Sequence, residues 1–328
     1  MRFLIAGLGS VGRRHLRNLN ALGELDILLH RSGKSTLPDS EVAGFPTYPD
    51  LEEALDQNPD AVIVATPTSL HVPVALAAAR RGYAVLIEKP VSHTLEGTVE
   101  LVHTIQSTGA PTLIGYQYRF HPGIQGMRQA VAQGRIGRPE YARATYGDFL
   151  PAWHPWEDFR ASYSARRELG GGVLLTLSHP LDYLCWIFGE PVIRWSWLAT
   201  LSDWPIDVED TAEVGLAFST GAVASVHLDF LQRPSSHRLE IVGSEGTLEW
   251  NQASGEWRIY SPEQDRWVSG EGAGVKRNQM FLAEIEHFRS VARREVAPLC
   301  GLEDGLRTLR LALGARSIGE APSSMRDF

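Results

Sequence analysis

Cysteine is nearly absent from this chain. Its 328 residues hold two, Cys185 and Cys300, and these have neither metal-ligand nor redox spacing. A disulfide scaffold and a cysteine-built zinc site are therefore excluded, no metal site is expected, and a reducing cytoplasmic compartment fits best. No apolar run approaches the ~20 residues that span a bilayer. The first residues read as a strand, not as a charged segment leading into an apolar signal core. Positive charge is in deficit, with 31 Lys+Arg against 39 Asp+Glu and a net charge of -8. That balance argues against a nucleic-acid binder working by phosphate neutralisation, while leaving room for a local basic pocket. Internal repeats and low-complexity segments are missing too. What remains is an ordinary globular composition, long enough for two domains.

The most informative stretch lies at the amino terminus. Apolar Phe3–Ala6 runs into Gly7-Leu8-Gly9-Ser10-Val11-Gly12 and then into an amphipathic segment. A G-x-G-x-x-G run points to a dinucleotide only when a strand precedes it and a helix follows, and both do here. Gly7 permits the tight turn, Gly9 lets backbone approach a pyrophosphate, and Gly12 lets helix pack on strand. Free N–H groups at the helix start, around Ser10 and Val11, would hold the phosphates.

Strand and helix then alternate. Strands are expected at Phe3–Ala6, Leu25–His30, Ala61–Ala65, Ala84–Ile87 and Thr112–Gly115. Helices are expected near Val11–Leu22, Leu51–Asp56, Val72–Arg81 and Leu95–Ser107. This pattern predicts an α/β domain over 1–120 with a parallel sheet covered on both faces. Residues 121–328 read as an α+β domain. A helix near Gly123–Gln133 leads to a strand at Glu140–Asp148. A polar, aromatic loop and one apolar helix, Val173–Phe188, follow. An antiparallel meander then runs from Val192 to Trp250. Helices near Lys276–Arg294 and Glu303–Ser317 close the chain, the last expected to pack back on the first domain.

Candidate site residues cluster at strand ends, where ligands bind in open parallel sheets. The second strand ends His30-Arg31-Ser32, with Lys34 beyond and no carboxylate to take a ribose 2′-hydroxyl. Arg31 and Ser32 suit a 2′-phosphate, so NADP is expected over NAD. Thr66 and Pro67 would wall the ribose and nicotinamide, and Ser69 would cap the next helix. His71 is a cofactor contact or a surface histidine. Glu88-Lys89-Pro90 follows an apolar strand, which hangs the Lys89 ammonium at the cleft mouth, tuned for proton exchange. Thr176, His179 and Asp182 are each three apart and share a face if one helix carries them. Asp182 could then orient His179 for proton transfer; a core histidine satisfied by its own helix is the equal alternative.

Taken together and in this order, the glycine turn, Thr66-Pro67 with His71, Glu88-Lys89-Pro90 and the glycine-led His179/Asp182 helix resemble the Gfo/Idh/MocA oxidoreductases along essentially the whole chain. The resemblance implies a Rossmann domain joined to a carboxyl-terminal domain on an open, mostly antiparallel sheet. It implies hydride transfer between nicotinamide and a hydroxyl-bearing carbon of a sugar, polyol or sugar nucleotide. It makes Lys89 the catalytic lysine and His179 the histidine beside the substrate. Gly115–Pro122, with Tyr118 and Arg119, corresponds to a substrate-contacting segment. Where some members carry an Asp one turn before the histidine, this chain has Leu175 or Thr176. Lys89 and His179, assisted by Tyr118 or a water, must then handle the proton. A cofactor-binding sensor without turnover is the competing reading.

The loop from Tyr146 to Arg167 is dense in groups that suit carbohydrate, among them Asp148, Trp153, His154, Trp156, Arg160 and Tyr163. Arg160, Arg166 and Arg167 would favour an acidic or nucleotide-linked sugar. Trp195, Trp197, Val226, Leu228 and Phe230 supply more apolar surface than one covered sheet face needs. A homodimer or homotetramer through that sheet is therefore expected.

Overall fold

The computed structural model describes residues 1–33, 39–155, 157–270 and 275–320. Lys34 and Trp156 lie outside the described residues. In the first domain β1 (Phe3–Ala6), α1 (Ser10–Ala21), β2 (Ile27–His30), β3 (Thr47–Tyr48), α2 (Leu51–Leu55), β4 (Ala61–Val64), α3 (His71–Arg80), β5 (Ala84–Glu88), α4 (Thr98–Thr108) and β6 (Thr112–Gly115) alternate. The sheet is wholly parallel in the order β3-β2-β1-β4-β5-β6. Strands β1 and β4 are buried at every residue, as a sheet covered on both faces requires. The order reverses direction at β1, so the crevice for a ligand opens at the carboxyl ends of β1 and β4.

The second domain begins with α5 (Pro122–Ala132) and β7 (Pro139–Gly147). It continues through α6 (Val173–Thr176) and α7 (His179–Phe188), then β8 (Pro191–Ala199), β9 (Thr211–Phe218), β10 (Val223–Asp229), β11 (Ser236–Gly243), β12 (Gly246–Asn251), β13 (Glu256–Ser261) and β14 (Arg266–Ser269). Helices α8 (Arg277–Ala292) and α9 (Leu302–Gly319) follow. Its eight strands run in the order β14-β13-β12-β11-β7-β10-β9-β8. This is not the expected meander. Strand β7 inserts between β11 and β10 and lies parallel to β10, so only the outer strands zigzag. Strands β13 and β14 extend the sheet past Trp250.

Three local expectations are corrected. The apolar segment 173–188 is two helices, because Pro180 has no N–H to give the carbonyl of Thr176 four residues back. Ser69 does not cap α3; a 3-10 turn over Thr68–Leu70 feeds it, and its cap position, Leu70, makes no side-chain bond. Val226, Leu228 and Phe230 are fully buried under the helices, whereas Trp195 and Trp197 stay about half exposed on the other face. Both closing helices reach the first domain. Helix α8 packs on α1, β5 and β6. At the start of α9, a Cβ on Gly305 would lie 2.7 Å from Val91 and 2.9 Å from Ile114.

Candidate active site

The glycine turn has the shape its sequence calls for. Gly7 sits at φ +96, and a Cβ there would lie 2.5 Å from the carbonyl oxygen of Ala65. A Cβ on Gly12 would lie 2.0 Å from the carbonyl oxygen of Gly7, so α1 rests directly on the turn. A Cβ on Gly9 would meet nothing within 4 Å, which leaves one side of the turn clear. No side chain caps α1 at Gly9, so the first N–H groups of the helix keep their capacity for an anion. Beside the turn, the Thr66 hydroxyl is buried without a partner among the described residues. A dinucleotide fits this cradle: room over Gly9, uncapped amides of Ser10 and Val11, and an orphaned hydroxyl in the next loop.

At the end of β2, Arg31 is half-buried, its backbone N–H donating to Tyr48 at 3.2 Å, and Ser32 is exposed. Asp26 pairs with Arg2 at the opposite end of the strand.

His71 is not a surface histidine. It is 2% exposed, with Nδ1 2.8 Å from the Pro90 carbonyl and Nε2 2.9 Å from the Thr66 carbonyl. It ties the loop after β4 to the loop after β5. Burial lowers its proton affinity, against the pull of the two carbonyls.

Lys89 closes β5. Its Nζ donates to the carbonyl oxygen of Thr176 at 2.5 Å. Burial drives its pKa down to about 8, with Glu88 pulling upward and Arg277 adding to the fall. Glu88 accepts from His15 Nε2 at 2.7 Å and from the backbone N–H of Lys89 at 3.3 Å. Burial would raise the Glu88 carboxyl; His15, Lys89 and His71 outweigh it and hold the group below its ordinary range.

His179 opens α7, 3% exposed. Burial first, then the charges of Lys89, His237 and Arg277, push its pKa well below the ordinary value, so the ring is neutral. The Gln117 amide donates to Nε2 at 3.2 Å, which leaves the ring proton on Nδ1, and Nδ1 has no partner among the described residues. The ring lies edge-on to Tyr118, with centroids 4.7 Å apart.

Behind it stands a buried set that sequence reasoning missed. His237 stacks on Tyr146 at 4.1 Å and meets the Tyr118 ring at 4.6 Å. Its Nδ1 donates to the Gln252 side-chain oxygen at 3.0 Å. Burial drives its pKa down to about 3. The one sequence signal was its place in the buried register of β11, between polar Ser236 and Arg238.

Several expected contacts resolve differently. Asp182 does not orient His179; it takes the Arg119 guanidinium at 2.8 Å and 3.0 Å, both side chains 1% exposed. Arg119 also donates to the Leu299 carbonyl, so this pair fastens α7 to the segment before α9. The Tyr118 hydroxyl donates to Gln252. The Thr176 carbonyl takes the Lys89 ammonium, and the Thr176 hydroxyl is buried without a partner among the described residues. Arg160 pairs with Asp158, Arg166 with Glu168, and Arg167 with Glu320. Each loop guanidinium thus has a carboxylate already. Trp153 packs edge-on to Phe230 at 5.6 Å, under the loop. Arg316, also unforeseen, holds the glycines before α6 through the Gly171 carbonyl at 3.0 Å and Glu209 at 2.8 Å.

Comparison with known proteins agrees with this geometry. Residues 1–116 match the model of an oxidoreductase family with an NAD-binding Rossmann fold. Residues 124–249 match the GFO/IDH/MocA C-terminal domain. The chain is 33% identical to a 1,5-anhydro-D-fructose reductase of Ensifer adhaerens over 66% of its own length, and that match spans 61% of the reductase. It is 27% identical to a myo-inositol 2-dehydrogenase of Thermotoga maritima, covering 99% of this chain and 98% of that one. In three dimensions it superposes on a UDP-N-acetylglucosamine 3-dehydrogenase of Acidithiobacillus ferrooxidans with a TM-score of 0.81 and 25% identity, covering 98% of each chain. Among the described residues, no helix is long and apolar enough to cross a membrane.

Proposed function

Since this chain belongs to the Gfo/Idh/MocA oxidoreductases, we propose that it transfers hydride between a nicotinamide dinucleotide and a hydroxyl-bearing carbon of a sugar, polyol or sugar nucleotide. The observation that carries this reading is the Lys89 ammonium, partly buried at the end of β5, with its pKa lowered to about 8 and its Nζ 2.5 Å from the Thr176 carbonyl. An amine so placed takes a hydroxyl proton in one direction and returns it in the other.

Gly7, Gly9, Ser10, Val11 and Gly12 would hold the pyrophosphate, with Thr66, Pro67, Glu88 and Lys89 along the nicotinamide half. The bound nicotinamide supplies the hydride acceptor or donor. His179 keeps its Nδ1 proton and offers it to the substrate oxygen as a hydrogen bond. Tyr118 and His237 fix the ring that makes this bond. Trp153 supplies an apolar wall. Since Arg119 and Asp182 are spent on each other, they act by fastening α7.

Arg31 and Ser32 favour NADP over NAD. The half-exposed Trp195 and Trp197 support a homodimer or homotetramer through the open sheet face. Two free, buried cysteines fit a reducing, cytoplasmic setting.

The test is turnover with both cofactors on a panel of inositols, hexoses and UDP-hexoses, for wild type and Lys89→Ala. An enzyme loses turnover in the variant while retaining cofactor binding. A protein whose wild type binds cofactor yet turns over none of the panel is a sensor, and the reading fails.

A further inference from the structure

Glu284 has no part in the chemistry above, yet it is wholly buried beside it. His15 on α1, Glu88 at the end of β5 and Glu284 on α8 each bring a nitrogen or carboxylate oxygen to within 4.8 Å of the others. The hydrogen bonds there are unevenly shared. Glu88 has donors, His15 Nε2 at 2.7 Å and the Lys89 N–H at 3.3 Å. Glu284 is 0% exposed, and neither of its oxygens has a partner among the described residues.

Two carboxylates this close in a water-poor seam do not both stay ionised. The one with donors keeps its charge, and the one without takes a proton. We propose that Glu284 carries that proton and shares it with Glu88, which makes it a positioning residue for Lys89. A neutral Glu284, with an oxygen within 4.8 Å of one on Glu88, becomes a third donor to that carboxylate by a small turn of its side chain, while the second Glu88 oxygen takes the Lys89 N–H. Losing that donor frees the carboxylate to turn, and the root of Lys89 turns with it.

The charges around the seam agree. Burial, then the charge on Glu88, push the Glu284 carboxyl well above its ordinary range. Facing the pair are Arg14 from α1, His71 from α3, Lys89 from β5, Tyr163 from the loop and Cys300 before α9; Arg277 acts on Lys89 from α8. None of these makes a hydrogen bond or ion pair with Glu284.

The test uses the full chain as wild type, Glu284→Gln and Glu284→Ala. Its kinetic arm rests on the oxidoreductase reading; its infrared and thermal arms do not. At neutral pH wild type should show the carbonyl stretch of a protonated carboxyl group, absent from Glu284→Gln. A raised acid in the folded state stabilises it less as pH climbs above the unfolded carboxyl value. The Tm of Glu284→Gln relative to wild type should therefore rise between about pH 5 and about pH 8. In turnover, Glu284→Ala should displace the Lys89 limb of the pH profile and lower kcat with cofactor KM held. The amide of Glu284→Gln should restore both to within about twofold. The proposal is overturned by a missing carbonyl band, by a Tm difference flat with pH, or by Glu284→Gln as impaired as Glu284→Ala. It is also overturned by a stoichiometric divalent metal that copurifies and is lost in Glu284→Gln. If no substrate is turned over, the band and the Tm slope still decide it.

Discussion

The Lys89 ammonium donates to the carbonyl oxygen of Thr176, the carbonyl that Pro180 leaves without its helical partner. A proline in the first turn of α7 thus opens an acceptor for a lysine on another domain. The contact is short, and it holds Nζ against a neutral oxygen; burial depresses the amine, and the Glu88 charge opposes that fall only in part. In the oxidative direction Lys89 must be neutral to take the hydroxyl proton. The rate should climb with pH and level off above about 8. In the reductive direction Lys89 gives the proton, and the rate should fall over the same limb. Lys89→Met should lower kcat by about 10²–10⁴-fold and abolish that limb, with cofactor affinity kept. Steady-state pH profiles in both directions check this; a limb that survives the substitution assigns it to another group.

His71 spans two carbonyls, Pro90 at 2.8 Å and Thr66 at 2.9 Å, one on each loop that lines the cofactor crevice. His71→Ala strips a donor from at least one buried carbonyl, at a cost of about 1–3 kcal/mol. Both loops would then loosen, so weaker dinucleotide binding should accompany the lower Tm. Calorimetric titration of the cofactor against denaturation of the same sample tests the link. Lost stability with unchanged affinity would leave His71 a plain core residue.

Arg119 and Asp182 form an ion pair away from water, each side chain 1% exposed. Burial raises the Asp182 carboxyl, and Arg119 opposes that rise. Asp182→Ala leaves a buried guanidinium uncompensated and should cost about 3–5 kcal/mol, read from urea denaturation. The pH profile of the residual activity should keep its limbs, because Asp182 touches neither His179 nor Lys89. A shifted limb would restore Asp182 to the proton path.

Much of the first domain was legible because its signals are local. Glycines at Gly7 and Gly12 answer to backbone collisions, and the buried runs at β1, β4 and β5 have one physical reading. Lys89 was legible for the same reason, as a charged residue at the exit of an apolar strand. The misreadings at the site are all choices of partner. Asp182 lies one turn from His179 in sequence and chooses Arg119, which no spacing rule foretells. Thr176, four residues before Pro180, was readable as a stranded carbonyl, but its donor lies 87 residues away. The place of β7 between β11 and β10 is likewise a long-range pairing. Strand β13 does carry a period-two alternation, with Trp257 and Ile259 buried, and it went unread; β14 is four residues, mostly exposed.

Arg31 directly follows β2, where the proposed NADP would bring its 2′-phosphate, and Asp26 is tied to Arg2 at the far end of the strand. Charge-assisted bonds to phosphate are worth about 1.5–3 kcal/mol, so Arg31→Ala should weaken NADP binding about 10–100-fold and leave NAD almost unchanged. Fluorescence titration with the two reduced cofactors measures both. Equal losses would place Arg31 beside the adenine or ribose instead.

The open face of the second sheet should bury itself against another copy of this chain. Cross-strand register brings Val223, Ala217 and Val192 into one row and Ser225, Gly215 and Trp195 into the next. The Trp195 indole covers Gly215, where a Cβ would sit 2.1 Å from its Nε1. In the third row His227 bridges Glu213 at 2.7 Å and Asp229 at 3.1 Å. Those two carboxylates raise its pKa to about 9, so the imidazole stays charged beside Trp197 at neutral pH. Val192, Trp195, Trp197 and Val223 remain 48–61% exposed, an aromatic and aliphatic patch with an ion-paired rim. That is the anatomy of an interface core beside its polar edge. A stable pair of copies needs about 800 Å² from each partner, within reach of a sheet eight strands wide. Trp197→Glu puts a charge inside the patch and should convert the assembly to monomer, by light scattering, with an unchanged circular dichroism spectrum. Wild type that runs as a monomer at micromolar concentration would leave the patch uncovered and end the argument.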